Sequence, residues 1–253
     1  LKDEEISRQI ALAAHYGKDR VRRVFLADGD ALVLPTAKLL KILQALRDTF
    51  PKLQRVSSYA APKDILRKSE EELRQLKEAG LQLLYYGMET GDDITLKAVN
   101  KGVNGEEAVE AGRRVTASGM KLSIMVILGL AGKEGSKRHA LETAKAINII
   151  QPTMWSALCL MLYRGSELLD QFERGEFNPL SPAECMEELY TIMENVDLPE
   201  DKHCLFRSNH ISNYIPLAGT LPKDKQRLLR EIKYSAQELS KLKNWDVYNN
   251  TEY

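Results

Sequence analysis

The sequence predicts an α/β protein in which parallel strands alternate with helices. Five times an apolar, strand-like run ends at a small or acidic residue and passes into a helical pattern, at intervals of about thirty residues, the length of one βα module. The runs are nearly continuous in apolar residues, as in strands covered on both faces. These observations favour a parallel α/β barrel. The runs begin at Val21, Leu53, Leu81, Lys121 and Trp155.

The helices between the runs carry start signals and apolar stripes. Ser69 with Glu72, and Asn104 with Glu107, have the spacing of capping boxes. A helix is also predicted ahead of the first run, so the strand that should precede that helix is missing from the pattern. Apolar residues at helical spacing indicate helices that pack outside a sheet. The stripes are Leu39, Leu43, Leu46 and Phe50, then Ala108, Ala111 and Val115, then Ala140, Ala144, Ile147 and Ile150.

The last third of the chain leaves the βα pattern. Ser181 before Pro182 predicts the start of a helix, and a charged helix is expected from about Pro222 to Leu242. We expect no further βα unit there. The predicted organisation is therefore a barrel core at 1–175 and a helical C-terminal extension at 176–253 that packs on the barrel.

Charge and cysteine content disfavour several classes of protein. Lys plus Arg and Asp plus Glu both number 36, so no net field attracts nucleic acid or an anionic membrane. The sequence has no apolar run of bilayer length, and its charged start does not resemble a signal peptide. Three widely spaced cysteines fit a reducing compartment. We expect a cytoplasmic protein that contacts no membrane.

Polar residues at the strand ends are the candidates for chemistry, because the loops after parallel strands build the active sites of α/β barrels. In Asp28-Gly29-Asp30 the glycine permits a tight turn, and a carboxylate there could hold an amino group. An exposed acidic turn is an equally good interpretation. Glu89 could accept two ribose hydroxyls or cap the next helix. Gly129 permits close approach of a flat apolar group.

Four strand-end segments together resemble one enzyme family. They are FLADGDAL, GMETGDDITLKAVNKG, MVILGLAGKE and LMLYRGSEL, within about residues 3 to 170. In this order they resemble the catalytic domain of radical S-adenosylmethionine (radical SAM) enzymes, most of all the branch of oxygen-independent coproporphyrinogen III oxidase. The second segment is the most specific, because that branch has Gly-x-Glu-Ser-Gly followed by a helix that ends in Asn-Lys-Gly. The resemblance implies a partial (β/α)6 TIM-like barrel whose first strand would precede Leu1.

The resemblance also implies which residues meet S-adenosyl-L-methionine. Asp28, Gly29 and Asp30 take the place of a Gly-Gly-Glu motif that binds the methionine amino group. Glu89 faces the ribose, on the same rim as Asp28 to Asp30. Residues expected to border the adenine are Ile127, Leu128 and Gly129, with the backbone near Leu162 and Tyr163; Ser58, at the end of the second run, is a further candidate cofactor contact.

The sequence departs from the family at two points. The family holds a 4Fe-4S cluster with Cys-x-x-x-Cys-x-x-Cys, and that spacing does not occur here. Cys159 and Cys185 are interpreted as buried small residues instead. The cluster ligands would precede Leu1, so we expect the chain by itself to bind no cluster and to be inactive. The second departure is Asp30, where the family usually has Glu.

The function implied by the resemblance is that of a radical SAM enzyme. In its intact form it would use a 4Fe-4S cluster to cleave S-adenosylmethionine reductively and abstract hydrogen from an unknown substrate, with an electron donor such as flavodoxin or ferredoxin. One alternative is a metal-dependent barrel enzyme in which Asp28, Asp30 and Glu89 bind a hard cation. Another is a module that binds tRNA or other RNA, which the balanced charge disfavours.

The segment from Arg207 to Asn213 is rich in hydrogen-bond donors. Loops that cover scaffold sites often carry specificity, so we expect this segment to fold toward the barrel mouth. Arg207, Asn209 and His210 are the candidate substrate contacts. A guanidinium donates two parallel hydrogen bonds to a carboxylate or phosphate, which favours an anionic substrate. The alternative is a solvated loop held by its own hydrogen bonds.

Overall fold

The computed structural model describes residues 3–242. Helices separate most consecutive strands of a mostly parallel, seven-stranded sheet, which confirms the predicted α/β class. The chain divides into two compact units. Unit 1 comprises residues 1–87 and 110–123, and unit 2 comprises residues 88–109 and 124–253. The predicted boundary after residue 175 falls inside unit 2.

Unit 1 carries the first strands in the order in which they occur along the chain. β1 (Arg23–Asp30) pairs in parallel with β2 (Arg55–Ala60), and β2 pairs in parallel with β3 (Leu81–Glu89). The last two residues of β3 belong to unit 2. A short 3₁₀ turn, Ala31–Val33, follows β1. The helices of this part are α1 (Asp3–Gly17), α2 (Thr36–Thr49), α3 (Pro62–Leu66) and α4 (Glu70–Glu78).

The helix signals read from the sequence are confirmed in unit 1. Ser69 caps α4 through the Glu72 amide, and the Glu72 side chain accepts from the Ser69 amide in return. The predicted stripe of α2 is buried, from Leu39 to Phe50, and α2 packs against α1 and α4. Periodicity alone therefore identified which face of this helix forms the core.

Unit 2 holds the second part of the sheet and most of the longer helices. β5 (Met154–Cys159) pairs in parallel with β6 (Cys204–Ser208), and β7 (Leu217–Leu221) runs antiparallel to β6. β4 (Lys121–Leu128) and α6 (Gly105–Ala117) each cross the boundary between the units. The other helices are α5 (Asp93–Ala98), α7 (Gly132–Ile150), α8 (Glu167–Glu173), α9 (Pro182–Asn195) and α10 (Lys225–Leu239).

The expectation that the chain after residue 175 adds no further βα unit is wrong. The helices α9 and α10 are present as predicted, but β6 joins the sheet in parallel beside β5. Phe206 packs on Trp155 with ring centroids 4.5 Å apart, and both side chains are fully buried. A strand of five residues beside a donor-rich loop has too little periodicity to be read from the sequence.

The helices of unit 2 form a layer in which α9 packs against α7 and α10. Ser181 and Glu184 form a second capping box at the start of α9, and Pro182 occupies its first turn, as predicted. Within residues 3–242 no helix combines the length and the apolar character needed to cross a membrane.

Candidate functional site

β1 ends in an irregular turn. Its pairing with β2 shifts between Leu26 and Asp30, and the two residues before Asp30 have positive φ, 64° at Asp28 and 106° at Gly29. A Cβ added to Gly29 would meet nothing within 4 Å, so the backbone angle and not crowding favours glycine here. The Asp28 side chain is exposed, and within residues 3–242 its carboxylate has no hydrogen-bond partner. The turn therefore presents a free carboxylate.

Asp30 is engaged by the backbone on both sides. Its Oδ1 accepts the Leu32 amide at 2.7 Å, and its Oδ2 accepts the Ala61 amide at 2.6 Å. Burial raises the pKa of Asp30, and the neighbouring Asp64 carboxylate raises it further. Asp30 thus caps the 3₁₀ turn and ties the end of β1 to the end of β2. Its predicted role as a ligand of an amino group stays a prediction, and an ammonium would have to share oxygens that each already accept one backbone amide.

Ser58 does not point toward open space. Its side chain is fully buried, and its hydroxyl donates to the Tyr59 carbonyl at 2.9 Å. A residue with no exposed surface cannot touch a ligand unless the strand moves. The expectation that Ser58 contacts a cofactor is therefore replaced by a structural role within β2.

Three aromatic residues lie together on β1, β2 and β3. The Phe25 ring centroid is 4.9 Å from that of Tyr59 and 5.7 Å from that of Tyr85, and the two tyrosine centroids are 6.2 Å apart. Phe25 and Tyr59 remain 40% and 47% exposed. The sequence analysis did not single out this cluster, since only the register of the three strands brings the rings together.

Glu89 is the last residue of β3 and has a left-handed backbone, with φ of 65°. Its Oε1 accepts from the Lys101 Nζ at 3.0 Å, and about a fifth of each side chain is exposed. Asp92, not Glu89, caps the following helix, because its carboxylate accepts the Thr95 amide at 3.0 Å. The capping interpretation of Glu89 is therefore wrong, and its carboxylate is fixed by one lysine with an open side left.

The three residues after Glu89 are each held by one side chain of α7. A Cβ at Gly91 would overlap the backbone carbonyl of Glu142, so this glycine allows the segment to lie directly against α7. The segment that follows Glu89 is therefore rigidly placed. The three contacts are Thr90 Oγ1 to His139 Nδ1 at 2.7 Å, the Gly91 amide to Thr143 Oγ1 at 3.0 Å, and Arg138 Nε to Asp92 Oδ1 at 2.8 Å.

Gly129 follows β4 with φ of 80° and is buried. Its amide donates to Glu188 Oε1 at 2.7 Å, and the Ser136 hydroxyl donates to Glu188 Oε2. Leu128 is fully buried, whereas Ile127 keeps part of its surface. The half-buried Ile127 is therefore the residue of this strand end whose side chain a flat group could contact.

The segment after β5 offers one exposed ring. The Leu162 side chain is buried with Leu169 and Phe177, so it serves the α8 core. Tyr163 is 48% exposed, and its hydroxyl lies 3.3 Å from the Met161 sulfur. Of the two predicted adenine neighbours, Tyr163 is the one whose side chain can reach a ligand.

In the donor-rich segment from Arg207 to Asn213, some side chains bond to the backbone and others are exposed. The Arg207 guanidinium donates to the Phe206 carbonyl at 2.7 Å and is thereby held along β6. Asn213 Nδ2 donates to the Ala157 carbonyl at 3.0 Å and anchors the segment to β5. Asn209 and His210 are exposed. Because β5 and β6 are parallel, the segment lies at the end of the sheet where β5 also ends.

The cysteines do not fit an iron-sulfur cluster. Cys159, Cys185 and Cys204 are all buried free thiols, as the sequence predicts for Cys159 and Cys185. The Cys159 thiol and burial hold the pKa of Cys185 well above its ordinary value, and burial raises that of Cys204 to about 12. Cluster ligands must be thiolates. Among residues 3–242 no group of three or more His, Cys, Asp or Glu side chains could hold a metal ion, so the hard-cation alternative has no ligand set there.

A cavity of about 470 Å³ in unit 1 lies among α1, β1 and α2. Its lining is mainly apolar, and the charged residues Arg23, Asp28 and Asp30 are part of it. A mainly apolar lining with a few charged groups is typical of ligand sites, and Asp28 and Asp30 connect this cavity to the end of β1.

Comparison with known proteins identifies the family of this chain. The family model of the radical SAM superfamily matches residues 1–143, more than half of the chain. The chain belongs to the radical SAM superfamily. Members are enzymes that use S-adenosylmethionine and a 4Fe-4S cluster, and the resemblance seen in the sequence is confirmed.

Two curated relatives cover most of this chain at low identity. The tRNA uridine(34) acetyltransferase of Methanocaldococcus infernus is 24% identical over 172 residues, which are 67% of this chain and 31% of the relative. The heme chaperone HemW of Bacillus subtilis is 22% identical over 182 residues, 71% of this chain and 47% of the relative. The chain thus spans about a third to a half of the length of these relatives.

Solved structures share the fold. An N-terminally truncated Elp3 of Methanocaldococcus infernus superposes with a TM-score of 0.59 at 17% identity, over 93% of this chain and 58% of that one. Coproporphyrinogen III oxidase (HemN) of Escherichia coli gives a TM-score of 0.56 at 17% identity, over 76% of this chain and 43% of that one. At this identity the likeness concerns the fold.

Proposed function

We propose that this chain binds S-adenosylmethionine and is the catalytic core of a radical SAM enzyme that abstracts hydrogen from its substrate. The observation that carries the proposal is Glu89. Its carboxylate ends β3 in a strained left-handed backbone, which is a common mark of functional positions. It is also partly exposed and held by a lysine. Superfamily membership supplies the class of cofactor.

Glu89 is suited to bind the two ribose hydroxyls of the cofactor. An ionised carboxylate accepts hydrogen bonds at both oxygens, and Lys101 contacts only Oε1. The ion pair restricts the rotamer of Glu89. Lys101 therefore acts as a positioning residue for the carboxylate, while Oε2 and the second lone pairs remain available to hydroxyl donors.

The Gly129 turn is proposed to border the adenine. The Gly129 amide is already donated to Glu188, so this hydrogen bond is not open to the cofactor. Ile127 adds a half-buried apolar side chain from the same strand. Tyr163, with nearly half its surface exposed, is proposed as a further neighbour.

Asp28 is proposed to bind the methionine amino group in place of Asp30. Both residues lie in the turn that resembles the family's amino-binding motif. Asp30 accepts two backbone amides, whereas the exposed Asp28 carboxylate has no such partner among residues 3–242. A free carboxylate beside a glycine is the better acceptor for an ammonium group.

Supplied with one electron, bound S-adenosylmethionine would yield methionine and a 5'-deoxyadenosyl radical that abstracts hydrogen from the substrate. The chain's own residues bind and orient the cofactor. Its buried cysteines do not fit cluster ligation. The electron donor is proposed to be a small redox protein such as a flavodoxin or ferredoxin.

Substrate contact is proposed for Asn209 and His210, which are exposed beyond β6. Arg207 is a weaker candidate, because its guanidinium is engaged by a backbone carbonyl. One relative acts on tRNA by name, so RNA binding belongs among the measurements. A gel-shift series with tRNA, wild type against His210→Ala, tests it; tRNA binding lost in the variant would assign a nucleic-acid substrate.

Isothermal titration of the purified chain with S-adenosylmethionine and S-adenosylhomocysteine tests the cofactor proposal. We expect both to bind and Glu89→Gln to weaken both by about ten- to a hundredfold, since one charge-assisted hydrogen bond contributes roughly 1.5–3 kcal/mol. Glu106→Gln is the matched control, because Glu106 is exposed on α6 and far along the sequence from Glu89. Equal affinities of wild type and Glu89→Gln would remove the proposed ribose contact.

A further inference from the structure

Two buried titratable side chains face each other in unit 2 without any role in the contacts proposed so far. His139 on α7 is fully buried, and its Nε2 has no hydrogen-bond partner. The carboxyl group of Glu188 on α9 faces that nitrogen, with Oε1 at 3.6 Å and 2% of the residue exposed. Burying two such groups is unfavourable unless they interact, so their retention needs an explanation.

Each of the two residues is bonded to one of the segments assigned to the cofactor. His139 Nδ1 lies 2.7 Å from the hydroxyl of Thr90, the residue directly after Glu89. Glu188 Oε1 accepts the Gly129 amide at 2.7 Å. The same Glu188 oxygen is therefore the meeting point of the Gly129 turn and the imidazole that holds the Glu89 segment.

We propose that His139 and Glu188 are positioning residues that hold the Glu89 segment and the Gly129 turn together for cofactor binding, and that this coupling depends on one proton at the Glu188 carboxyl. The identity of the cofactor in this inference rests on the proposed function. The coupling between Glu188, His139 and Thr90 does not, because it involves only residues of unit 2.

The donors and acceptors around Glu188, His139 and Thr90 indicate what the proton on Glu188 does. With Glu188 protonated, its hydroxyl faces the lone pair of His139 Nε2, while Nδ1–H donates to Thr90 Oγ1. Thr90 Oγ1 also accepts the Asp92 amide at 2.9 Å, which a hydroxyl oxygen can do because it has two lone pairs. The separation of 3.6 Å is just beyond a hydrogen bond, so a small rotation of either side chain completes the chain of bonds.

Loss of one proton from the Glu188–His139 pair changes the hydrogen bonds at Thr90. A carboxylate facing the Nε2 lone pair is unfavourable, so the imidazole adopts the Nε2–H tautomer, which can donate to Glu188. In this step the carboxyl proton of Glu188 passes to Nε2, and the proton that the pair releases is the one from Nδ1. Nδ1 becomes an acceptor, and the Thr90 hydroxyl must turn to donate to it. Deprotonation of Glu188 is thereby transmitted to the residue next to Glu89.

The surroundings favour titration near neutral pH. Burial raises the pKa of Glu188 to about 7 and lowers that of His139 to about 4. The buried residues of α10, which packs against α9, do not ionise at these pH values. They are Leu228, Leu229, Ile232 and Ser235. The ionisable groups around the pair are Asp92 with its partner Arg138, Glu184 with its partner Lys133, and the buried thiols Cys159 and Cys185.

Nuclear magnetic resonance of the purified chain tests the coupling without any ligand. In wild type we expect the Gly129 amide proton to shift with an apparent midpoint near pH 7, and the two His139 nitrogens to exchange tautomer over the same range. Glu188→Gln keeps an acceptor oxygen and removes the titration, so both transitions should disappear. Glu187→Gln, at the adjacent exposed position of α9, should leave them unchanged.

Binding of S-adenosylhomocysteine between pH 6 and pH 8 then tests the positioning role. Wild type should bind about tenfold more weakly at the upper pH, Glu188→Gln should keep its affinity across the range, and His139→Leu should bind weakly throughout. Identical pH profiles for wild type and Glu188→Gln, in the amide shifts or in the affinities, would overturn the inference. Wild type that shows the amide transition but binds neither adenosyl compound would instead overturn the proposed function and leave the coupling standing.

Discussion

Glu89 and Lys101 form an ion pair, with Glu89 Oε1 3.0 Å from Lys101 Nζ. The two residues stand near opposite ends of GMETGDDITLKAVNKG, the segment most like the superfamily, and α5 lies between them. After α5 the chain turns back, so that Lys101 in the Asn-Lys-Gly at the end of the segment contacts Glu89 at the end of β3. The spacing of the motif therefore has a physical explanation in this contact.

Replacing Lys101 should weaken cofactor binding. Lys101→Met keeps most of the aliphatic stem but removes the charge that orients Glu89, so we expect a loss of about tenfold in affinity for S-adenosylhomocysteine, from an ion pair that is only partly solvated. Titration calorimetry measures it. Lys97→Met is the control, because Lys97 is exposed on α5, four positions before Lys101. Equal losses of affinity in the two variants would mean that the overall positive charge, and not the Glu89–Lys101 ion pair, supports binding.

Substitutions of Asp28 and Asp30, the two acids of the β1 turn, should have different effects, one on cofactor binding and the other on stability. Asp30→Ala removes the partner of the Leu32 and Ala61 amides, and we expect it to lower the free energy of unfolding by about 2 kcal/mol. Asp28→Asn keeps a residue that tolerates the left-handed backbone, so stability should hold while cofactor affinity falls. Urea denaturation and calorimetry of both variants decide this, and a large loss of stability in Asp28→Asn would contradict it.

The stability of the chain should depend on pH through Glu188. Its pKa is raised to about 7 in the folded protein against an ordinary value near 4.5, so between these values the folded state binds more protons than the unfolded state. Stability from this group therefore falls as pH rises to about 7, by at most about 1 kcal/mol per pH unit. Glu188→Gln should become more stable relative to wild type over that range. Urea denaturation at several pH values measures the difference, and parallel profiles would refute it.

His139 should act in the opposite sense. Burial lowers its pKa to about 4, so below about pH 6.5 the unfolded state binds the extra proton, and stability falls as pH is lowered toward 4. His139→Leu should lack this acid limb. The same denaturation series includes this variant, and an unchanged acid limb would assign the loss of stability to other groups.

Gly91 should tolerate no side chain. The Cβ of Gly91→Ala would overlap the Glu142 backbone, so either the Glu89 segment or α7 must move, at a cost of about 1–3 kcal/mol in stability. Gly17→Ala is the control, since its nearest neighbour would be 3.9 Å away. A thermal unfolding comparison is sufficient; a neutral Gly91→Ala would mean that the contact with α7 is loose.

Local patterns predicted much of the fold and the identity of the strand-end residues. The capping boxes of α4 and α9, the buried stripe of α2 and the alternation of strands and helices depend on residues within one or two turns of each other, and such patterns are visible in a sequence. Glu89 and Gly129 could be singled out for the same reason, because each directly follows a strand-like run.

Contacts between distant positions were decided by the tertiary structure. The sequence by itself determined the class of fold, the family and the strand ends that matter. It did not determine that Asp30 is bonded to Ala61, that β6 lies beside β5, or that Glu188 reaches Gly129, which is 59 positions away. Hydrogen bonds and burial depend on which segments pack together, and a carboxylate becomes a cap, a ligand or a buried acid according to the groups that this packing brings to it.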